Sequence, residues 1–89
     1  MTRRRRLHLP DWWSWDIVLS PHLEQRMEER GFTEVELRAM LQTPLGLEPS
    51  VQDGRFVVRC THHRRSWAVV VEPWERERLL VVVTAYQPG

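Results

Sequence analysis

The second half of the sequence constrains the fold most, because three apolar segments alternate there with turns too short to contain a helix. The segments cover residues 55–61, 66–72 and 79–86, and the turns cover 62–65 and 73–78. Each segment contains two or three valines and is bounded by turn residues, as is typical of β-strands. Strands joined by such short connections pair as antiparallel neighbours. The sequence therefore predicts an antiparallel sheet in this half.

Two helices are predicted ahead of this sheet. Ser20 followed by Pro21 is a favourable helix start, because the hydroxyl accepts an unpaired backbone N–H and proline tolerates the first helical position. Gly31 ends this helix by adopting a left-handed conformation. Thr33 and Glu36 have the spacing of a capping box, which begins the second helix.

Two more segments are candidate strands. Residues 13–20 alternate between apolar and polar side chains, and residues 47–51 precede a turn at Asp53 and Gly54. The fold class predicted by all these patterns is α+β, with two N-terminal helices packed on a three- to five-stranded, mainly antiparallel sheet.

The length of 89 residues allows one hydrophobic core. We expect a single domain over residues 12–89 and a basic lead over residues 1–11, disordered because its four consecutive arginines repel one another. The one cysteine, Cys60, excludes an internal disulfide and indicates a reducing, cytoplasmic location. The longest apolar run is also too short to span a membrane.

All 13 basic residues are arginine, although the formal net charge is only +1. A GC-rich genome, whose codons favour arginine over lysine, is one explanation. The other is a surface that binds phosphate through planar, bidentate guanidinium groups. In either case, the missing lysine excludes Schiff-base chemistry and a phosphate-loop lysine.

His22, Arg26 and Arg30 are four residues apart, so they form one row along the first helix. In one interpretation the row is structural, with Arg26 paired to Glu29 and Arg30 paired to Glu34. In the other, the row is an anion site at the edge of the core. Like charges at this spacing are unfavourable in an isolated helix, which gives the second interpretation its weight.

The predicted sheet adds further polar groups. Arg59 lies on the strand face opposite the core residues, Arg65 adjoins a turn, and Thr84 and Tyr86 share one face of the last strand. Each arginine by itself is better explained as a solvated surface residue. Together they would suit RNA cleavage by the ribose 2′-hydroxyl, which needs a base, an acid and cations for the phosphate charge.

A metal site and a cofactor are not expected. Cys60, His62 and His63 offer suitable ligand types, but neighbouring histidines on a strand point to opposite faces and no second cluster completes a tetrahedron. The alternation of Cys60 with Phe56 and Val58 indicates a core residue rather than a reactive thiol.

Three of the five tryptophans, Trp12, Trp13 and Trp15, follow the arginine run. Core packing or a partner interface is the usual role of such residues, and base stacking is a third option.

The chain resembles the bacterial domain-of-unknown-function 4258 family over about two thirds of its length. The resemblance is carried by the pattern H-x-x-x-R-x-x-x-R-G from His22 to Gly31, a capped second helix over 34–41, and segments 54–58, 66–71 and 81–86. It implies a domain similar to the RelE and BrnT toxin superfamily, whose members are metal-independent ribonucleases held by antitoxins. The implied site residues are His22, Arg26, Arg30 and Thr84.

The sequence thus predicts a cytoplasmic, metal-independent endoribonuclease of a toxin–antitoxin or related conflict system. His22 or Tyr86 would transfer protons, and the expected partners are RNA, an antitoxin or other protein, and a second copy of the chain. The predicted catalytic residues are His22, Arg26, Arg30, Thr84 and Tyr86, and the predicted phosphate-binding residues are Arg59 and Arg65. The alternative is a non-catalytic adaptor that binds a partner protein or nucleic acid.

Overall fold

The computed structural model describes residues 8–88. A five-stranded sheet carries two helices on one face, and a short 3₁₀ helix at Asp11–Ser14 precedes the first strand. Most of the predicted basic lead, residues 1–7 with the arginine run, lies outside the described residues. The elements are β1 (Asp16–Leu19), α1 (Pro21–Arg30), α2 (Glu34–Gln42), β2 (Gly46–Pro49), β3 (Phe56–His62), β4 (Arg65–Trp74) and β5 (Leu79–Tyr86).

The strand order is β1-β5-β4-β3-β2, with β1 parallel to β5 and the other pairs antiparallel. The predicted arrangement of two N-terminal helices on a mainly antiparallel sheet is therefore wrong. Both helices come after the first strand, and the sheet is a mixed one of five strands. The parallel pair was missed because β1 joins the last strand of the chain through long-range pairing, for example Leu19 with Val82, which no local pattern reveals.

The first strand is also shorter than the segment 13–20 that the alternation suggested. Trp13 N–H donates to the Pro10 carbonyl at 3.0 Å, and Trp15 N–H donates to the Trp12 carbonyl at 3.1 Å. These hydrogen bonds form the 3₁₀ turn. The tryptophans therefore approach the core from a turn, and extended pairing begins only at Asp16.

The core lies between the helices and one face of the sheet. α1 contributes Leu23 and α2 contributes Leu37 and Met40, each no more than 1% exposed. The sheet contributes residues of its three central strands that face the helices, and in β5 an extra residue at Val83 interrupts their alternation. These are Val58 and Cys60 of β3, Trp67, Val69 and Val71 of β4, and Leu80, Val82 and Ala85 of β5.

The predicted helix boundaries are confirmed. The Ser20 hydroxyl accepts from the Leu23 N–H at 3.0 Å, and Gly31 has a φ of 69°, in the left-handed region that glycine adopts without steric cost. The capping box is complete, because Thr33 Oγ1 accepts from the Glu36 N–H at 3.2 Å and Glu36 Oε1 accepts from the Thr33 N–H at 3.1 Å.

Beyond Val82 the strand β5 continues without β1 beside it, and two side chains satisfy its outward carbonyls. The Ser20 hydroxyl donates to the Val83 carbonyl at 2.8 Å, and Arg30 Nη1 donates to the Ala85 carbonyl at 2.6 Å. α1 is thereby fixed at both ends to one sheet edge. This arrangement positions Arg30 beside the end of β5.

Replacing Ser20 with alanine is expected to lower the free energy of unfolding by about 1–2 kcal/mol, because the change removes a helix cap and leaves the Val83 carbonyl unpaired. Urea unfolding monitored by circular dichroism measures the loss. Ser14→Ala is the matched control, since its hydroxyl makes an exposed bond to the Asp11 carbonyl, and it should change stability by less than about 0.5 kcal/mol. Equal effects of both changes would contradict the double role of Ser20.

Candidate functional site

A pocket of about 430 Å³ opens where β4 begins and β5 ends. We call it the arginine pocket. Two of its lining residues are cationic and two are aromatic. It is lined by Arg30, Arg65, Trp67, Tyr86 and Gln87.

Three elements bring these residues together. β4 starts at Arg65 and β5 ends at Tyr86, and their antiparallel register pairs Ala68 with Tyr86, so both segments reach the same end of the sheet. α1 ends over this corner, where Arg30 is tied to the Ala85 carbonyl. Trp67 is held in place on its side of the pocket, because it is only 7% exposed and packs edge-on against Phe32 with ring centroids 5.2 Å apart.

The arginines of the predicted site differ in whether a carboxylate neutralises them. Arg26 and Arg59 each contact a glutamate, at 2.8 and 2.7 Å. Among residues 8–88, no carboxylate lies within ion-pair distance of Arg30 or Arg65, and none lines the arginine pocket. The pocket therefore holds two guanidinium groups without a local counter-charge, which favours an anionic ligand.

The predicted row on α1 reaches the pocket only through Arg30. His22 is exposed, its Nε2 lies 3.5 Å from Arg26 Nε, and neither residue lines the pocket. Of the two ion pairs expected in the structural interpretation, Arg26 with Glu29 is formed. The pair of Arg30 with Glu34 is not, because Glu34 contacts Arg38 instead.

The predicted site residues in β3 and β5 also do not all lie at the pocket. Arg59 pairs in register with Ala68, and Thr84 pairs with Val70, on the sheet face that the helices leave uncovered. Tyr86 stands in the same cross-strand row as Arg59, two strands and therefore about 10 Å away, but it is the last residue of β5 and lines the pocket at the end of the sheet, where the two faces meet. Of these residues, only Tyr86 lines the pocket.

A second polar cluster, which the sequence prediction missed, lies between α2 and the β3–β4 turn. His62 Nε2 is 2.9 Å and His63 Nε2 is 3.4 Å from Glu36 Oε2. The expectation that the two histidines point to opposite faces is wrong, because His63 has a φ of 51° and has left the strand. The hydrogen bond with His62, aided by the Thr33 N–H, lowers the pKa of Glu36 to about 2.

The remaining candidates lie in the core or pack against it. Cys60 is 1% exposed, which confirms the prediction that it is a core residue, and burial raises the pKa of its thiol to about 11. Trp12, Trp13 and Trp15 are half-buried against the core, and the Trp12 ring lies 5.0 Å from the ring of Phe56. Core packing accounts for these tryptophans.

These observations define a small α+β domain with a five-stranded mixed sheet and an arginine-lined pocket at one corner. The chain belongs to the family described as Domain of unknown function (DUF4258), whose model matches residues 19–87. No curated protein and no solved structure matches the chain. Within the described residues, none of the helices has the length and apolar character needed to cross a membrane.

Proposed function

We propose that this chain is a small, cytoplasmic, metal-independent endoribonuclease of a bacterial toxin–antitoxin or related conflict system, similar to RelE- and BrnT-type toxins. The observation that carries the proposal is the arginine pocket, where Arg30 and Arg65 share one concavity without a carboxylate among its lining residues. An RNA phosphate is the ligand that best matches paired guanidinium groups beside aromatic side chains.

The size of the pocket supports this ligand class. Its volume of about 430 Å³ lies within the roughly 300–1,000 Å³ typical of small-ligand sites. A nucleotide with its phosphodiester would fit, whereas a folded protein domain would not. The two arginines would hold the non-bridging phosphate oxygens.

The reaction is internal transesterification. The ribose 2′-oxygen bonds to phosphorus, its proton leaves to solvent, and the bond from phosphorus to the 5′-oxygen breaks. Tyr86 is the candidate acid that gives its phenolic proton to this leaving oxygen, and Arg30 and Arg65 stabilise the charge on the crowded phosphate. The products are a 2′,3′-cyclic phosphate and a 5′-hydroxyl.

The charges of Arg30 and Arg65 also suggest how a protein partner could inhibit RNA cleavage. An antitoxin or other protein partner that places an acidic segment over Arg30 and Arg65 would compete directly with RNA. A second copy of this chain remains a further candidate partner, although the arginine pocket itself offers no acidic group to the arginines of a copy.

The experiment is incubation of the purified chain with end-labelled RNA in excess chelator, followed by identification of the product ends. We expect cleavage with 2′,3′-cyclic phosphate ends, and a rate reduced by about 100-fold in Tyr86→Phe, because that variant cannot donate the proton. His22→Ala is the matched control and should stay within about twofold of the parent, since His22 does not line the pocket. RNA binding without cleavage would favour the adaptor, and neither binding nor cleavage would contradict both functions.

A further inference from the structure

We propose that Glu36, His62 and His63 together bind one divalent transition-metal ion of the zinc class, at a site that joins the start of α2 to the β3–β4 turn. This inference is independent of the proposed ribonuclease activity. It depends on three side chains whose candidate ligand atoms all lie within 4.8 Å of one another.

The spacing of the ligand atoms fits a metal. Glu36 Oε2 lies 2.9 Å from His62 Nε2 and 3.4 Å from His63 Nε2. Around a tetrahedral zinc ion with bonds of about 2.0–2.1 Å, neighbouring ligand atoms are about 3.3 Å apart. The two distances from Glu36 are within about 0.4 Å of this value, and the imidazole nitrogens, which lie within 4.8 Å of each other, need to approach by at most about 1.5 Å, which side-chain rotation in an exposed turn can supply.

The carboxylate is already oriented for a single metal bond. Glu36 Oε1 accepts hydrogen bonds from the Thr33 N–H at 3.1 Å and from Thr33 Oγ1 at 3.2 Å. These bonds occupy one carboxylate oxygen and direct Oε2 towards both imidazoles. Metal ligands are commonly fixed by outer hydrogen bonds of this kind, and here the capping box of α2 supplies them.

The turn is strained in the way that brings the imidazoles together. His63 and Arg64 have φ values of 51° and 65°, so two successive residues with side chains adopt the left-handed region. Turns of this shape normally use Asn-Gly, because other residues are disfavoured there. In a regular strand His63 would point away from His62, whereas this turn places their ring centroids 4.0 Å apart.

The ligand set selects the class of ion and leaves room for another ligand. Two imidazole nitrogens and one carboxylate oxygen suit Zn²⁺, Co²⁺, Ni²⁺ and Cu²⁺, and they suit Mg²⁺ or Ca²⁺ poorly. The His62 side chain is 17% exposed and that of His63 is 77% exposed, so one side of the site faces solvent and can admit water. Arg64 and Arg65 follow directly in sequence and oppose a cation, which favours moderate rather than extreme affinity.

Metal binding would also order the corner that carries the arginine pocket. His62 pairs in register with Arg65 across the β3–β4 hairpin, and Arg65 lines that pocket. An ion held by Glu36 would tie this hairpin to α2. The expected consequence is stabilisation of the fold, without participation in the RNA chemistry.

The test is titration of the full chain, prepared without a polyhistidine tag, with ZnCl₂ by calorimetry and with CoCl₂ by visible absorption. We expect one ion per chain, and a melting temperature raised by roughly 10–20 °C at a zinc concentration about 100 times the Kd. MgCl₂ should produce no shift. Chelator should restore the original melting temperature.

Two variants each remove one ligand and are designed to preserve the fold. His63→Asn removes the exposed ligand and keeps a residue that tolerates left-handed backbone, and Glu36→Gln keeps the capping interaction but loses the charge. Each should weaken zinc binding by more than about tenfold. Their melting temperatures without metal report whether the fold is intact.

His22→Ala removes an exposed histidine that is not one of the three proposed ligands, so this variant should bind zinc like the parent. No zinc binding by the parent at millimolar concentration would overturn the proposal, as would equal affinity in the parent, His63→Asn and Glu36→Gln. RNA cleavage in chelator is measured separately, so failure of one proposal leaves the other testable.

Discussion

Arg65→Ala is expected to lower the rate constant of RNA cleavage by about 100- to 1,000-fold, the loss usual when one preorganised donor to a developing phosphate charge is removed. Arg65 is exposed, lines the arginine pocket and has no carboxylate within ion-pair distance among the described residues. Its guanidinium is therefore free to bind a phosphate. Single-turnover cleavage at fixed ionic strength measures the effect, and Arg65→Lys should restore only part of the rate, because an ammonium cannot bind in a bidentate way.

Arg59→Ala is the matched control for this prediction. It removes the same charge from the adjoining strand, but Arg59 contacts Glu48 at 2.7 Å and lies on the uncovered face of the sheet. We expect a rate within about twofold of the parent and a salt dependence of binding that is nearly unchanged, whereas Arg65→Ala should lower the number of phosphate contacts by about one. Equal losses in both variants would show that net charge, and not the arginine pocket, drives the reaction.

Leu37→Ala is expected to lower the free energy of unfolding by about 2–5 kcal/mol, because it leaves a cavity beneath α2. Leu37 is fully buried between α2 and the sheet. A domain of 89 residues has a total stability of roughly 5–13 kcal/mol, so this one change would remove a large fraction. Urea unfolding followed by tryptophan fluorescence gives the free energy of unfolding of the parent and of the variant.

Val35→Ala on the same helix is the control for Leu37. Val35 is 77% exposed, so no cavity forms, and alanine has the higher helix propensity. The variant should match the parent within about 0.5 kcal/mol or be slightly more stable. A loss at Val35 comparable with that at Leu37 would mean that the exposed face of α2 is covered by another chain in solution.

Local structure was largely predictable from the sequence. Ser20, Gly31, and the pair Thr33 and Glu36 bound the two helices as expected, because capping depends on residues within four positions of each other. The last strand, Leu79–Tyr86, was also placed correctly, since a valine-rich run that follows a turn favours a strand. Such signals need no knowledge of the partner strand.

The candidate site was predictable only in part. Arg30, Arg65 and Tyr86 line one pocket, whereas His22, Arg26, Arg59 and Thr84 do not. Residue type and spacing identified groups able to handle phosphate, but they could not distinguish arginines with a nearby glutamate from those without one. That distinction depends on side chains brought close by folding.

The sequence by itself determined where the helices begin and end, which segments after residue 54 form strands, and that arginine is the only strong cation available for phosphate. Tertiary structure alone decided that β1 pairs with β5, that the turn at His63 directs two imidazoles to Glu36, and that Arg30 and Arg65 line one pocket at a corner of the sheet. The physical reason is the distance along the chain over which each interaction acts. Capping and alternation act over a few neighbouring residues, whereas a sheet register or a shared pocket depends on contacts between segments distant in the chain, whose energies are set by the packing of the whole domain.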